Sequence, residues 1–313
     1  MALITLSREE GSLSKQVGLA LAEKLGYDFI SGKTISNELQ ENYGVTRSQL
    51  EKFDEKKPGI MANFTNSYEK YNNTFKLYIF EKLLQNPNCI VMGRSGTFFL
   101  KEVPGLLRLR TVGSEDVRVK RVMERYKVDE RSARKMVAHK ELERTEQAKF
   151  LYNETWGKPS NYDLTINTDK LSIDAICSMV KGLIAELDKD NCKAAQQIKL
   201  NELFRAQKAI NAVLYEKKIP VSFFEIKINE DKAVIHGSTR TAEDIEIVEA
   251  TVKEITGVVV TPKLNYKNAT EEGATEGAGF YSDADNVDYS VRNLTTNGIL
   301  NDVKTRKKDS PDL

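Results

Sequence analysis

The sequence predicts an α/β fold in which helices cover both faces of a mostly parallel sheet, followed by a smaller α+β unit. Short apolar segments alternate with longer helical patterns over the first 190 residues, an order that is typical of βαβ units. A chain of 313 residues is also too long for one ordinary core, so two domains are expected.

The first elements are a strand, LITL at residues 3–6, and an amphipathic helix that ends at the cap residue Gly26. Apolar residues repeat at every fourth position of this helix: Leu13, Val17, Leu21 and Leu25. Thr46 and Gln49 have capping-box spacing at the start of a helix predicted over residues 46–56. A longer helix over residues 66–86 ends before Pro87.

The remaining elements of the first unit follow the same alternation. CIVM leads into GRSG, LLRLRTV spans residues 106–112, and DLTIN follows WGKPSNY as the last strand. Helices are predicted from Glu115 to Tyr126, onward to about residue 154, and over residues 172–187. Five aromatic residues of the helix at 66–86 are expected to pack in a core or a dimer contact: Tyr68, Tyr71, Phe75, Tyr78 and Phe80.

The composition changes after the first unit. A linker is expected over residues 188–198, and a helix, two strands, a helix and a further strand follow over residues 199–267. That length is enough for a small core. From residue 268 to residue 313 the hydrophobic periodicity fades, so we expect this tail to be disordered.

Charge and cysteine content exclude several classes of protein. The 47 basic and 46 acidic residues nearly cancel, which gives no overall attraction to nucleic acid or to a membrane surface. The segment MALITLSREEG lacks the apolar stretch of an export signal, so we expect none, and no apolar run reaches the roughly 20 residues of a membrane span. The three cysteines are an odd number at wide spacings, which favours reduced thiols over a disulfide framework. We expect a cytoplasmic protein whose two histidines bind no metal.

The turn SREEGSLSK, between the first strand and the first helix, has the layout of a phosphate-binding loop. Glycines let such a turn wrap a phosphate, and the helix N-terminus supplies unpaired N–H groups. Only Gly11 is present, however; Leu13 stands at the motif's last glycine, Ser14 at its lysine, and Lys15 one position late. An ordinary strand-to-helix turn with a solvated lysine is the alternative.

Other polar segments are expected beside this turn, because ligands of parallel sheets bind at the carboxyl ends of the strands. GRSG and VGSED follow the next two predicted strands. Arg118, Arg121 and Arg125 are three and four residues apart and therefore share a helix face. Arginines so arranged neutralise charge in phosphoryl transfer, although a solvated helix face is the alternative. Arg144 is the only arginine of ELERTEQAKFLY.

Three segments together resemble the cytidylate kinase-like family of P-loop nucleotide kinases over residues 1–187: SREEGSLSK, GRSGTFFL and WGKPSNYDLTINTDKLSIDA. ISGKTI is similar to the element that meets the acceptor nucleotide, although Ser36 replaces its arginine. The resemblance implies a P-loop domain at residues 1–190 that uses ATP and Mg²⁺, without a metal site of its own. The family lacks the usual Walker lysine; Leu13 and Ser14 replace two glycines that it has.

The resemblance also implies roles for individual residues. The donor phosphates are expected at Arg8, Gly11, Ser12, Ser14 and Lys15. The acceptor is expected at Ser31 and Arg94, and the catalytic charges at Arg118, Arg121, Arg125 and Arg144. The second unit, residues 199–267, resembles a BON domain in FEIKI, VIHG and ITGVVVT, and we expect it to bind a protein partner or to regulate the first unit.

Three functions follow. The first is a nucleoside monophosphate kinase that transfers the ATP γ-phosphoryl group to a pyrimidine nucleotide, CMP. The second is a weak or inactive nucleotide-binding sensor that signals through the BON-like unit, since the phosphate loop departs from the family pattern. The third is a scaffold that binds no nucleotide. The nucleotide is the expected partner in the first two.

Overall fold

The computed structural model describes residues 3–53, 67–187 and 192–266. Its larger sheet has five strands, all parallel, in the order β2-β3-β1-β4-β5. The strands are β1 Leu3–Arg8, β2 Asp28–Ile30, β3 Cys89–Met92, β4 Leu106–Val112 and β5 Leu164–Asn167. The parallel α/β sheet predicted from the sequence is thus confirmed.

Eight helices of the described residues belong to this first unit. They are α1 Ser14–Leu25, α2 Gly32–Tyr43, α3 Arg47–Phe53, α4 Ser67–Gln85, the single turn α5 Gly96–Phe99, α6 Glu115–Tyr126, α7 Glu130–Tyr152 and α8 Ile173–Leu187. Local signals set several ends. Gly26 caps α1 in a left-handed conformation, and Thr46 and Gln49 exchange the two hydrogen bonds of a capping box before α3.

The two faces of the sheet have separate cores. On one face, Val17 and Leu21 of α1 pack with Ile176 and Val180 of α8. On the other face, α2 and α4 contribute buried side chains, among them Ile35 and all five aromatic residues noted in the sequence: Tyr68, Tyr71, Phe75, Tyr78 and Phe80. Those aromatic residues therefore lie in the core, as predicted.

The second unit consists of α9 Lys193–Asn211, β6 Ser222–Asn229, β7 Lys232–Thr239, α10 Ala242–Thr256 and β8 Val259–Tyr266. β6 pairs with β7 antiparallel, and β7 pairs with β8 parallel. Thr241 and Asp244 form a capping box at the start of α10. Ile226, Ile235 and Val248 belong to one buried cluster, so the helices cover one face of this small sheet.

Helix α9 joins the two units. It begins at Lys193, inside the stretch that was predicted to be a linker. Leu200, fully buried, belongs to the core of the first unit together with residues of α4, whereas Ala206 and Ala209 belong to the core of the second. Tyr215, just beyond α9, accepts a hydrogen bond from Asn73 of α4 at 2.9 Å. Residues 193–198 are therefore part of a packed helix.

Other sequence expectations concern thiols, membranes and the tail. The three cysteines are all within the described residues and form no disulfide. None of the helices that the structure describes combines the length and the apolar character that crossing a bilayer requires. The disorder expected for residues 268–313 concerns a segment outside the described residues.

Candidate functional site

Three polar loops meet at the carboxyl edge of the sheet, where the parallel topology places them. They follow the adjacent strands β3, β1 and β4 and contain Gly93–Ser95, Glu9–Leu13 and Gly113–Ser114. The backbone is tightly curved in the first two loops: Arg94, Ser95 and Leu13 have φ values of 50°, 60° and 56°. Non-glycine residues in this conformation cost free energy and are concentrated at functional sites.

The turn before α1 has the backbone path of a glycine-rich loop, although it contains one glycine. Gly11 has a φ of +83°, and Leu13, the residue that precedes α1, is also left-handed. Ser12 is buried, and its hydroxyl bonds to the Glu9 carbonyl oxygen and the Thr111 hydroxyl, both at 2.8 Å. The first N–H groups of α1 face the end of this turn, as a bound anion requires.

Gly11 has a second reason to be glycine. A Cβ atom at this position would lie 2.6 Å from the Arg118 carbonyl oxygen and 3.0 Å from the Arg118 Cα atom. Atoms at such distances overlap, so the first turn of α6 approaches the loop backbone too closely for any side chain. This packing fixes α6 and its arginines against the Glu9–Leu13 turn.

A cleft of about 780 Å³ opens beside this turn, between α1, α6 and α7. Among the described residues that line it, six are basic: Arg8, Lys15, Arg121, Arg125, Lys140 and Arg144. Three are acidic: Glu9, Glu10 and Glu124. Gly11, Ser12, Leu13 and Ser14 also line the cleft. The excess of positive charge favours an anionic ligand.

Glu10, a residue that sequence reasoning did not select, occupies the middle of this charge arrangement. Its carboxylate accepts a hydrogen bond from Arg144 Nη2 at 2.8 Å and lies 3.9 Å from Arg125 Nη1. The Glu10 side chain is 14% exposed and the Arg144 side chain 8%, so water screens this ion pair only weakly. Two of the arginines expected to supply the catalytic charges are thus paired with a carboxylate of the loop.

Glu9 is held from the opposite side of the loop. Arg110 Nη2 donates to its Oε1 atom at 3.2 Å, and the Gly113 N–H donates to its Oε2 atom at 3.2 Å. Arg118 Nε lies 3.3 Å from the same Oε2 atom. Arg118 also pairs with Glu141, whose pKa is raised by burial and partly restored by that arginine. Arg118 is therefore buried beneath the cleft and does not line it.

Arg121 has a different set of partners from its neighbours on α6. It donates to the Thr168 carbonyl oxygen at 2.7 Å, to the Thr168 hydroxyl at 3.0 Å and to the Gly11 carbonyl oxygen at 3.3 Å. Thr168 follows β5, so Arg121 connects the Glu9–Leu13 turn to β5, the last strand of the sheet. The three arginines predicted to share one face therefore point to three different environments.

Arg94 and Ser31 do not line the large cleft; they lie beside α2. Arg94 is 7% exposed; it donates to the Tyr71 hydroxyl at 2.7 Å and to the Ser36 hydroxyl at 3.2 Å, and lies 5.3 Å from the Phe75 ring centroid. Ser31 precedes α2, next to another Arg94 acceptor, the Gly32 carbonyl oxygen. Ser36, noted in the sequence as the replacement of an arginine, thus contacts Arg94 directly.

A cavity of only about 20 Å³ is lined by Arg94, Ser95 and Gln147 among others. Arg8 and Arg144 line both this cavity and the large cleft. Most of the predicted residues thus line one of two compartments that share two arginines, whereas Ser31 and Arg118 line neither. Sequence reasoning had no direct signal that Tyr71 or Arg110 belongs to the site, because neither lies in a phosphate-binding pattern.

Replacement of Leu13 by glycine tests whether its side chain obstructs the cleft. Because Leu13 already has a left-handed backbone, we expect Leu13→Gly to change ATP affinity by less than about threefold and the free energy of unfolding by less than about 1 kcal/mol. Calorimetric titration and urea unfolding measure the two quantities. A gain in affinity of tenfold or more would mean that the leucine side chain occupies the phosphate position.

Comparison with known proteins places these features in context. A sequence model of the cytidylate kinase-like family matches residues 3–170. A uronate isomerase from Corynebacterium glutamicum is 33% identical over 91 residues, which are 29% of this chain and 18% of that protein. The chain therefore spans about a fifth of the length of this relative.

Solved structures similar to the chain include three that each align with about three fifths of it. An uncharacterised protein from Eubacterium ventriosum has a TM-score of 0.46 and 22% identity, over 59% of this chain and 99% of its own. Shikimate kinase from Bacteroides thetaiotaomicron has a TM-score of 0.39 and 13% identity, over 59% and 98%. A gluconokinase from Sinorhizobium meliloti has a TM-score of 0.35 and 17% identity, over 60% and 94%.

Proposed function

Because the chain belongs to the cytidylate kinase-like family, we propose that it transfers the γ-phosphoryl group of ATP to a pyrimidine nucleoside monophosphate, CMP. The observation that carries this proposal is that Arg8 and Arg144 line both the cationic cleft and the cavity beside Arg94. A donor in the cleft and an acceptor at Arg94 would meet at these two arginines. Catalysis of phosphoryl transfer consists largely of such positioning and charge neutralisation.

In this proposal the cleft holds the donor. The N–H groups at the start of α1, the Ser14 hydroxyl and the Lys15 ammonium group face the triphosphate, while Gly11 and Ser12 shape the turn. Arg125 and Arg144 are within reach once the phosphates replace the Glu10 carboxylate. Arg118 and Arg121 act less directly, because they fix the loop from below and from β5.

Magnesium would enter with the nucleotide. Mg²⁺ in kinase sites is held mainly by substrate phosphates and water, with one or two protein oxygens. The Ser14 hydroxyl is a protein oxygen of this kind in the cleft. Among the described residues no group of three acidic, histidine or cysteine side chains is placed to hold a metal ion by itself. When bound, Mg²⁺ supplies charge neutralisation for the β- and γ-phosphates.

The transfer itself needs few protein groups. An oxygen of the acceptor phosphate attacks the γ-phosphorus atom, and the bond to the β–γ bridging oxygen breaks as the new P–O bond forms. ADP leaves with the electron pair of the broken bond. Arg94 orients the acceptor phosphate, and Arg8 and Arg144 neutralise the migrating group. The cavity of about 20 Å³ is too small for a nucleotide, so the acceptor would have to displace α2 or its side chains.

The alternative function is a nucleotide-binding sensor without turnover. The Glu10–Arg144 ion pair favours the sensor, because the Glu10 carboxylate already neutralises the arginine that the transfer needs. The signal would pass to the second unit, residues 199–267, which we propose to be a BON-like domain with a protein partner. Helix α9 is a physical route for such a signal, since it packs in both cores. We propose that the kinase-like domain spans residues 1–190 and the BON-like domain residues 199–267. We also propose that the protein is located in the cytoplasm.

ADP release distinguishes the two functions. Purified protein is supplied with ATP and Mg²⁺ and with CMP, dCMP, UMP, AMP or GMP in turn. Turnover on a pyrimidine monophosphate supports the kinase, whereas nucleotide binding without turnover on any acceptor supports the sensor. If a folded sample binds no nucleotide, both are wrong. Arg134→Ala is the matched control for arginine variants of the site, because Arg134 pairs with Glu115 and Glu130 on the surface, away from the cleft.

The Glu10–Arg144 pair makes a prediction of its own. Glu10→Gln should tighten ATP binding by about tenfold to thirtyfold, because a carboxylate that competes with the phosphates for Arg144 costs on the order of 2 kcal/mol at a protein surface. Glu124→Gln is the matched control: Glu124 also lines the cleft but is exposed, so water screens its charge. Calorimetric titration measures both variants. Weaker binding by Glu10→Gln would mean that the carboxylate contacts the nucleotide complex and does not compete with it.

A further inference from the structure

The WGKPSNY motif, which the sequence singles out without a role, is packed around Arg110 of β4. The Arg110 guanidinium group lies 4.2 Å from the Trp156 ring centroid and 5.3 Å from the Tyr162 ring centroid. Its Nη1 atom donates to the Trp156 carbonyl oxygen at 3.0 Å, and the Tyr162 hydroxyl donates to that same oxygen at 2.6 Å. Arg110 is thus held on two aromatic faces and one carbonyl oxygen.

The Nη2 atom of this guanidinium group faces the Glu9–Leu13 turn. Arg110 Nη2 donates to Glu9 Oε1, and the other Glu9 oxygen accepts from the Gly113 N–H group. Glu9 thereby connects β1 to the loop that starts α6, where Arg118 and Arg121 lie. Arg110 is 5% exposed, so the cation is retained inside the fold by the ring faces, the carbonyl oxygen and the carboxylate together.

We infer that Arg110, oriented by Trp156 and Tyr162, is a positioning residue that sets the conformation of the phosphate-binding turn through Glu9. This inference rests on the proposed function for its catalytic meaning. It assigns a purpose to the motif: Trp156 and Tyr162 act on the site indirectly, through the guanidinium plane. A lysine at position 110 would keep the charge but lose both the stacking and the fork of N–H donors.

The same strand supplies a matched control. Arg108 is two positions before Arg110 and also pairs with a carboxylate: it makes a bidentate pair with Asp163, at 2.6 and 3.1 Å. Asp163 immediately follows Tyr162, so Arg108 contacts the residue just after the motif. Arg108→Lys therefore changes an ion pair beside the motif and leaves the contacts of Arg110 in place, whereas Arg110→Lys breaks the connection between the motif and the turn.

Hydrogen–deuterium exchange of the Gly113 amide tests the inference without any ligand, because this N–H group donates to Glu9. We expect Arg110→Lys to speed its exchange by about tenfold, the effect of losing a charge-assisted hydrogen bond that fixes the acceptor. Arg108→Lys should leave the rate within twofold. Tyr162→Phe, which removes only the hydroxyl, should raise the rate about threefold and replaces Arg110→Lys if that variant does not fold.

Nucleotide binding then separates this inference from the proposed function. ATP affinity should fall in Arg110→Lys and remain unchanged in Arg108→Lys, and the Glu9→Gln, Arg110→Lys double variant should bind ATP no more weakly than Glu9→Gln alone. Unchanged Gly113 exchange in the Arg110 and Tyr162 variants, or an equal increase in Arg108→Lys, overturns the inference even if the wild type binds ATP. If the wild type binds no nucleotide, the proposed function is wrong, and the exchange rates alone decide the positioning.

Discussion

Arg94→Ala is expected to lower kcat/KM for phosphorylation of the acceptor by about 10²–10³-fold, the usual effect of removing one preorganised donor from a developing charge. The guanidinium group is oriented before any ligand arrives, because Tyr71 and Ser36 accept its hydrogen bonds and Phe75 lies beneath it. Alanine removes both the charge and that orientation. Initial rates of ADP release with CMP as acceptor measure the effect.

Two further variants identify the cause of that loss. Arg94→Lys keeps the charge without the planar fork, so it should retain an intermediate activity. Arg134→Ala removes a surface arginine and should retain wild-type activity. Circular dichroism confirms that each sample is folded. An Arg94→Ala variant that is folded and keeps more than a third of the wild-type rate would exclude Arg94 from the acceptor site.

The fold was predictable because its signals are local. The four-residue period of α1, the Thr46–Gln49 capping box and the buried aromatic residues of α4 each depend on neighbours within one element. The alternation of strands and helices then fixes a parallel sheet, and the parallel sheet fixes the edge at which the loops meet. The start of α9 was the exception, since a polar sequence became helical by packing on α4.

The charges of the site were less predictable, because ion pairs depend on residues far apart in the sequence. Arg118, Arg121 and Arg125 share helical spacing, yet their partners are Glu9, Thr168 and Glu10 respectively. No spacing rule along α6 distinguishes these three environments. Glu10 had a visible signal, an acidic residue inside a turn expected to bind phosphate, but its effect depends on Arg144, 134 residues away in sequence.

Gly11 shows why a motif match alone gives an incomplete reason for a residue. Sequence reasoning assigned it to phosphate binding. The structure adds that the backbone of Arg118 occupies the space where a side chain would be. A glycine required by packing persists whether or not the turn binds a nucleotide, so its presence by itself is weak support for activity. The balance of basic residues in the cleft is the stronger support.

Gly11→Ala should therefore destabilise the protein strongly. A left-handed alanine costs about 1 kcal/mol, and forcing a methyl group to within 2.6 Å of the Arg118 carbonyl oxygen adds roughly 1–3 kcal/mol. We expect the free energy of unfolding to fall by about 2–4 kcal/mol. In the fraction that remains folded, α6 must move away from the turn, so Arg121 loses its contact with the Gly11 carbonyl oxygen. Urea unfolding measures the stability, and ATP titration measures the site.

Gly26→Ala is the matched control for that variant. Gly26 also has a left-handed backbone, with a φ of +67°, but no described heavy atom lies within 4 Å of its Cβ position. It should lose only the conformational term of about 1 kcal/mol and keep its ATP affinity. The difference between the two variants isolates the contact with Arg118. If Gly11→Ala is no less stable than Gly26→Ala, then α6 yields to the methyl group without cost, and the turn is not fixed by this helix.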